Sequence, residues 1–160
     1  RQPGPIARII ARSLIPSEHL VVLDKGRRQG VTPDTVLWQT DGVVGRVIEA
    51  QDATSTAMLV TDPENRIGCV IERSRQAGVL VGTGGHRCRL IYLDLDADVV
   101  AGDRVVTAGL GGAFPTGLPI GLVTEVNRDD RLAAAWAWVQ PSVKISRVEE
   151  VLCLPPPPSP

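Results

Sequence analysis

Turn-forming residues recur every eight to twelve positions along this chain, and the stretches between them are short and rich in β-branched side chains. Helices need longer uninterrupted runs with a 3.6-residue period, whereas short runs at this spacing are what a sandwich or barrel requires. The pattern predicts strands near residues 6–11, 19–24, 35–39, 43–49, 56–61, 68–72, 78–81, 88–93, 104–107, 120–126, 135–140 and 149–154, and helical periodicity is nearly absent. About a dozen strands are too many for one small barrel, and two barrels of about six remove exposed edges most economically. The fold class expected is therefore all-β, two small six-stranded β-barrel-like domains with little helix.

Residues 101–126 form the centre of this arrangement. Two β-type runs flank Gly109, Gly111, Gly112, Gly117 and Gly121, and Pro115 and Pro119 interrupt the same segment. Glycine supplies backbone conformations other residues resist and proline removes a donor, so neither a helix nor a central strand can pass through. The segment reads as a shaped loop whose Leu110, Phe114 and Leu118 pack between β elements. With Tyr92, these are the candidates for anchoring the loop or touching a partner. Gly45 interrupts a β-branched run, so with Gly109, Gly117 and Gly121 it is read as a structural glycine at a turn, bulge or close approach. Trp136 and Trp138 share one face of a strand and are expected to cover the end of a core or an interface. The continuous run Leu20-Val21-Val22-Leu23 suggests a strand covered on both faces, where domains would meet. Residues 155–160 are nearly all proline and should be an extended tail, a linker or terminus rather than a strand.

No constellation of residues has the spacing of an active site. A two-barrel β protein invites comparison with chymotrypsin-like hydrolases, but no serine here is flanked by the glycines an oxyanion hole needs, and the glycine-rich loop near Phe114 contains no serine. His19 opens a strand and His86 follows Gly84-Gly85 in a turn. Asp94, Asp96 and Asp98 alternate like the start of a calcium loop, yet Val99 and Val105 stand where such a loop needs glycine and glutamate. Gly82-Thr83-Gly84-Gly85 lacks the lysine and following helix of a phosphate loop and reads as a hairpin tip. Cys69, Cys88 and Cys153 lack zinc spacing and lie in apolar runs, so no metal or cofactor is expected and burial as small hydrophobes is. A Cys69–Cys88 bridge has no positive support. A formal net charge of −1 leaves no basic excess for nucleic acid. Action by binding, not catalysis, is the expectation. A peptidoglycan- or oligosaccharide-binding β module is the alternative, and a degenerate chymotrypsin-like hydrolase a weaker one.

Several blocks, in order, resemble the MreC family of bacterial rod-shape-determining proteins: Asp24-Lys25-Gly26 with Gly30-Val31, Gly42-Val43-Val44-Gly45-Arg46-Val47, Leu59-Val60-Thr61-Asp62-Pro63, Gly102-Asp103, Val105-Val106-Thr107-Ala108-Gly109, Phe114-Pro115 and Gly117-Leu118-Pro119-Ile120-Gly121-Leu122-Val123. Ala108 departs from the family's usual serine. The resemblance implies the extracytoplasmic, periplasmic β-rich region of a single-pass inner-membrane protein whose membrane helix is absent from this stretch. It implies a non-catalytic scaffold of the cell-wall elongation machinery that maintains rod shape by organising peptidoglycan synthases. The implied partners are a class B penicillin-binding transpeptidase, MreD and RodA, indirectly MreB, and further copies of itself, met through apolar patches and sheet edges. It also implies a domain division with residues 1–62 plus 122–154 in the first barrel, 63–121 inserted as the second, and 155–160 as the tail.

Overall fold

The computed structural model describes residues 3–109 and 112–157. Twelve strands follow in order: β1 (Ile6–Arg12), β2 (Leu20–Leu23), β3 (Val36–Gln39), β4 (Gly42–Ala50), β5 (Ser55–Leu59), β6 (Arg66–Ile71), β7 (Ala77–Gly82), β8 (Cys88–Asp94), β9 (Arg104–Thr107), β10 (Pro119–Asp129), β11 (Ala134–Pro141) and β12 (Glu150–Leu154). Two single 3₁₀ turns, Arg27–Gln29 and Ile145–Arg147, are the helical segments among the described residues. Alternation produces these strands: in β5, Ser55, Ala57 and Leu59 point inward, and in β11 Ala135, Ala137 and Val139 do, while the intervening side chains face out.

The strands close into two antiparallel barrels, ordered β1-β12-β3-β4-β5-β2 and β10-β11-β8-β7-β6-β9. Closure gives every strand two neighbours in its sheet, so among the described residues no strand is left as a sheet edge along its whole length. The hairpin β10–β11 corrects an expectation. The resemblance assigned residues 122–154 to the first barrel, but β10 pairs with β9 and β11 with β8, so the hairpin closes the second barrel and only β12 returns to the first. The physical reason lies in the inward residues Ile120, Val123, Ala135, Ala137 and Val139, which complete the same apolar core as Ile67, Leu80 and Leu90.

The barrels meet along β3 and β4, not along β2. Leu37, Val44 and Val47 fill the first core, whereas their neighbours Val36 and Val43 face outward and join the core cluster of the second barrel. A strand with both faces covered is thus Val36-Leu37 or Val43-Val44, while Leu20 and Val22 of β2 are only half-buried on the outer side. The approach is close: a Cβ on Gly42 would lie 2.8 Å from the Pro119 carbonyl oxygen at the start of β10.

The crossing between the barrels, residues 60–65, is held as tightly as a strand. Thr61, Asp62 and Asn65 are buried there. The Asp62 carboxylate accepts from the backbone N–H of His19 and of Glu64, both at 2.8 Å, which ties the crossing to the entry of β2. Asn65 donates through Nδ2 to the Val60 carbonyl, and the Gly84 N–H donates to the Thr61 carbonyl. Gly82 packs directly on Thr61 and Asp62, with no room for a Cβ. The tip at residues 82–85, expected as a plain hairpin turn, is therefore also a clamp on the crossing.

Candidate functional site

Thr107 organises the glycine-rich loop. Its hydroxyl donates to the Pro115 carbonyl and accepts from the Leu118 N–H at 2.9 Å, while its backbone pairs with Gly117 and Leu118. This bracket turns the side chains of Phe114 and Leu118 inward, the first 7% exposed and the second half-buried, both packed on the second core. Gly109 and Gly117 take φ of 73° and 86°, a left-handed backbone that glycine adopts without steric cost. Gly45 and Gly121 serve differently: a Cβ at either would collide with a neighbouring strand's carbonyl, of Met58 and Gln140 respectively. Leu110 lies outside the described residues. Tyr92 does not join the loop; it sits in a bulge of β8 with φ of 63° and is 77% exposed.

Trp136 and Trp138 lie on the outer face of the second barrel, half-buried, with their rings edge to face at 5.2 Å. The guanidinium of Arg87 stacks over Trp138 at 3.8 Å and that of Arg89 over Trp136 at 4.0 Å. Sugar-binding tryptophans offer an open ring face, and here each indole already has a cation on one. The pair mortars the β8–β11 seam.

A groove of about 510 Å³ runs between the barrels. The loop at residues 13–20, the tip at residues 84–86 and the turn at residues 143–147 form its walls. Within it, the Ser13 hydroxyl donates to Glu18 at 2.9 Å, and His19 Nδ1 lies 2.6 Å from the Thr61 hydroxyl. The serine is thus engaged with a carboxylate and the histidine with a threonine, which is hydrogen bonding that shapes the wall, not a serine–histidine nucleophile pair. His86 is exposed at the rim. Sequence reasoning missed this groove because its walls come from three separated loops; the local traces were the exposed Leu14-Ile15 pair before Pro16 and the cations Lys144 and Arg147.

The remaining candidates resolve into structural roles. Asp98 and Asp103 are bridged by Arg73, at 2.7 and 2.8 Å, which fastens the turn that follows β8. Hydrogen bonding from Arg73 holds both carboxyls below the usual aspartate range. Among the described residues no group of three or more His, Cys, Asp or Glu is placed to hold a metal ion. The three cysteines are free and buried, and burial pushes the thiols of Cys69 and Cys88 up to about 12 and that of Cys153 to about 11. Among the described residues no helix is long and apolar enough to cross a membrane. Residues 155–157 run outside any strand, and Pro156 and Pro157 border a second recess, of about 670 Å³, beside Arg46, Arg66 and Phe114.

Comparison with known proteins adds a family. The profile described as "Rod shape-determining protein MreC, barrel core" matches residues 9–155. The cell shape-determining protein MreC of Caulobacter vibrioides is 34% identical over 123 residues, which is 77% of this chain but only 36% of that protein. The crystal structure of MreC from Pseudomonas aeruginosa superposes with a TM-score of 0.91 at 30% identity, covering 96% of this chain and 99% of that one. The fold also matches, at 16% identity and a TM-score of 0.74 over 95% of this chain and 96% of that one, a structure of the complex between penicillin-binding protein PBP2 and MreC from Helicobacter pylori.

Proposed function

The chain belongs to the MreC family of cell shape-determining proteins, and from that premise we propose that it is a non-catalytic scaffold of the cell-wall elongation machinery. It acts on the extracytoplasmic side of the inner membrane, where it binds a class B penicillin-binding transpeptidase and helps to maintain rod shape. MreD, RodA, further copies of itself and, indirectly, MreB are its other proposed partners. The observation that carries this reading is that the same double-barrel fold occurs in a relative solved in complex with a penicillin-binding protein. Two features of this chain support it. The barrels are joined by a buried, hydrogen-bonded crossing, and a partner biases an enzyme between conformations by its differential binding energy for the two. Exposed apolar side chains, Leu14 at 98% and Ile15 at 58%, stand beside a groove, as partner-binding surfaces do.

Calorimetric titration of the purified chain with the extracytoplasmic region of a class B transpeptidase tests the reading. Saturable binding is expected, and its absence would remove the transpeptidase from the proposal. Sedimentation over a concentration series tests self-association separately.

A further inference from the structure

The inter-barrel groove has a charge and shape that specify what fits it. Its floor is apolar, built from Leu20, Val21, Leu59, Val143 and Ile145, and Ile15 overhangs one side. Three cations, Arg12, Lys144 and Arg147, line it against one carboxylate, Glu18, in a chain whose formal net charge is −1. Arg12 is part of the wall, since its guanidinium donates to the carbonyls of Ile145 and Val148. Lys144 and Arg147 are exposed and make no ion pair among the described residues. Glu18 accepts a hydrogen bond from the neutral Ser13 hydroxyl, which cancels no charge, so the cations lining the groove outnumber the carboxylate three to one. The free charge at the mouth is therefore positive.

The volume lies within the range of about 300–1,000 Å³ typical of small-ligand pockets, so the groove admits a few side chains and not a folded domain. Among the described residues the only aromatic rings that line it are the imidazoles of His19 and His86, so a glycan would find there no indole, phenol or phenyl face on which to stack. Gln140, Ser146 and His19 Nε2, which points away from the Thr61 contact, supply polar groups for the backbone of an entering chain. From these observations we infer that the groove is the docking site for a short extended segment of a partner protein, apolar in its middle and carrying carboxylates that meet Lys144 and Arg147. The inference rests on the scaffold reading and adds to it where, and through what chemistry, the partner is held.

The test uses the purified chain and the extracytoplasmic region of the transpeptidase, titrated across a salt series. The variants are Lys144→Glu with Arg147→Glu, and separately Ile15→Asp, all at exposed positions whose change spares both cores. Leu132→Asp, in the exposed turn after β10, is the control. Each groove variant is expected to weaken binding by about tenfold or more, with the double reversal abolishing the fall of affinity with salt, while the control binds as wild type. Equal affinity of wild type and both groove variants would overturn the groove and leave the scaffold reading standing. No binding by the wild-type chain would overturn the groove and remove the transpeptidase from the scaffold reading. Chemical-shift changes at groove residues on adding soluble disaccharide-peptide wall fragments, with none on adding the transpeptidase, would overturn the protein occupant.

Discussion

The two barrels have the same number of strands and reach closure by different means. The second uses one uninterrupted run, β6 to β11, whereas the first cannot close until β12 arrives and pairs Ile6 with Leu152 and Leu154 with Val36. Their cores differ as well. The second is packed with Ile67, Ile71, Leu80, Leu90 and Ile120 and stoppered by Phe114, while the first, among the described residues, holds no aromatic ring and is mostly Ala, Val and Leu. Closure by local strands costs less loop entropy than closure across most of the chain, so the second barrel is the more self-sufficient unit. Its self-sufficiency is not complete, because Val36, Val43 and Val60 from the first half of the chain finish its core.

Removing residues 150–160 should give the largest effect. It opens the first barrel at β1 and β3, and hydrogen exchange should show protection lost through β1–β5 and kept in β6–β11. Loss of protection in both would erase the distinction between the barrels. Next is Phe114→Ala, which truncates a ring that is 7% exposed and should cost roughly 3–5 kcal/mol. Exchange should rise first in β6–β11, and an unchanged melting temperature would mean that the second core needs no stopper. Gly45→Val probes the first barrel at a comparable depth. The new side chain meets the backbone of Met58 and Leu59, and a cost of about 1–3 kcal/mol in chemical denaturation is expected for such overpacking. Wild-type stability there would show that β4 and β5 separate easily.

The smallest effect concerns pH. The Asp103 carboxyl lies below its ordinary value of 3.8, first because Arg73 donates to it, so folding favours the ionised form. That contribution is present above about pH 4 and is lost as pH falls through the lower folded value. Arg73→Gln should flatten the acid limb of the stability profile and leave neutral-pH exchange in the first barrel unchanged. An acid limb identical to wild type would show that the cluster does not distinguish the barrels.

The strands were legible because alternation and turn residues are local signals, and each of the dozen expected runs corresponds to an observed strand. Barrel membership was not legible for β10 and β11, since pairing depends on which distant inward face their alanines and valines complete. The inward role of Phe114 could be read from its glycine and proline neighbours. Nothing near Tyr92 foretold a bulge, which arises from a register shift against β11 between Ala135 and Ala137. The groove stayed hidden for a related reason: Ile15, His86 and Lys144 are far apart in the chain and become neighbours only after both barrels have closed.

The adjacency of β1 and β12 has a mechanical consequence. Gly4 donates to Cys153, and Ile6, Ala7 and Arg8 face Leu152, Val151 and Glu150 in antiparallel order, so the chain enters and leaves the fold side by side. Tension applied between these two ends would load that seam in peeling geometry, one rung at a time, instead of shearing all rungs together. The first barrel would yield as a low-force fuse. The second, strung between inner attachment points, would be shielded until the fuse had opened, and an optical-trap record should show a small early step followed by a larger one.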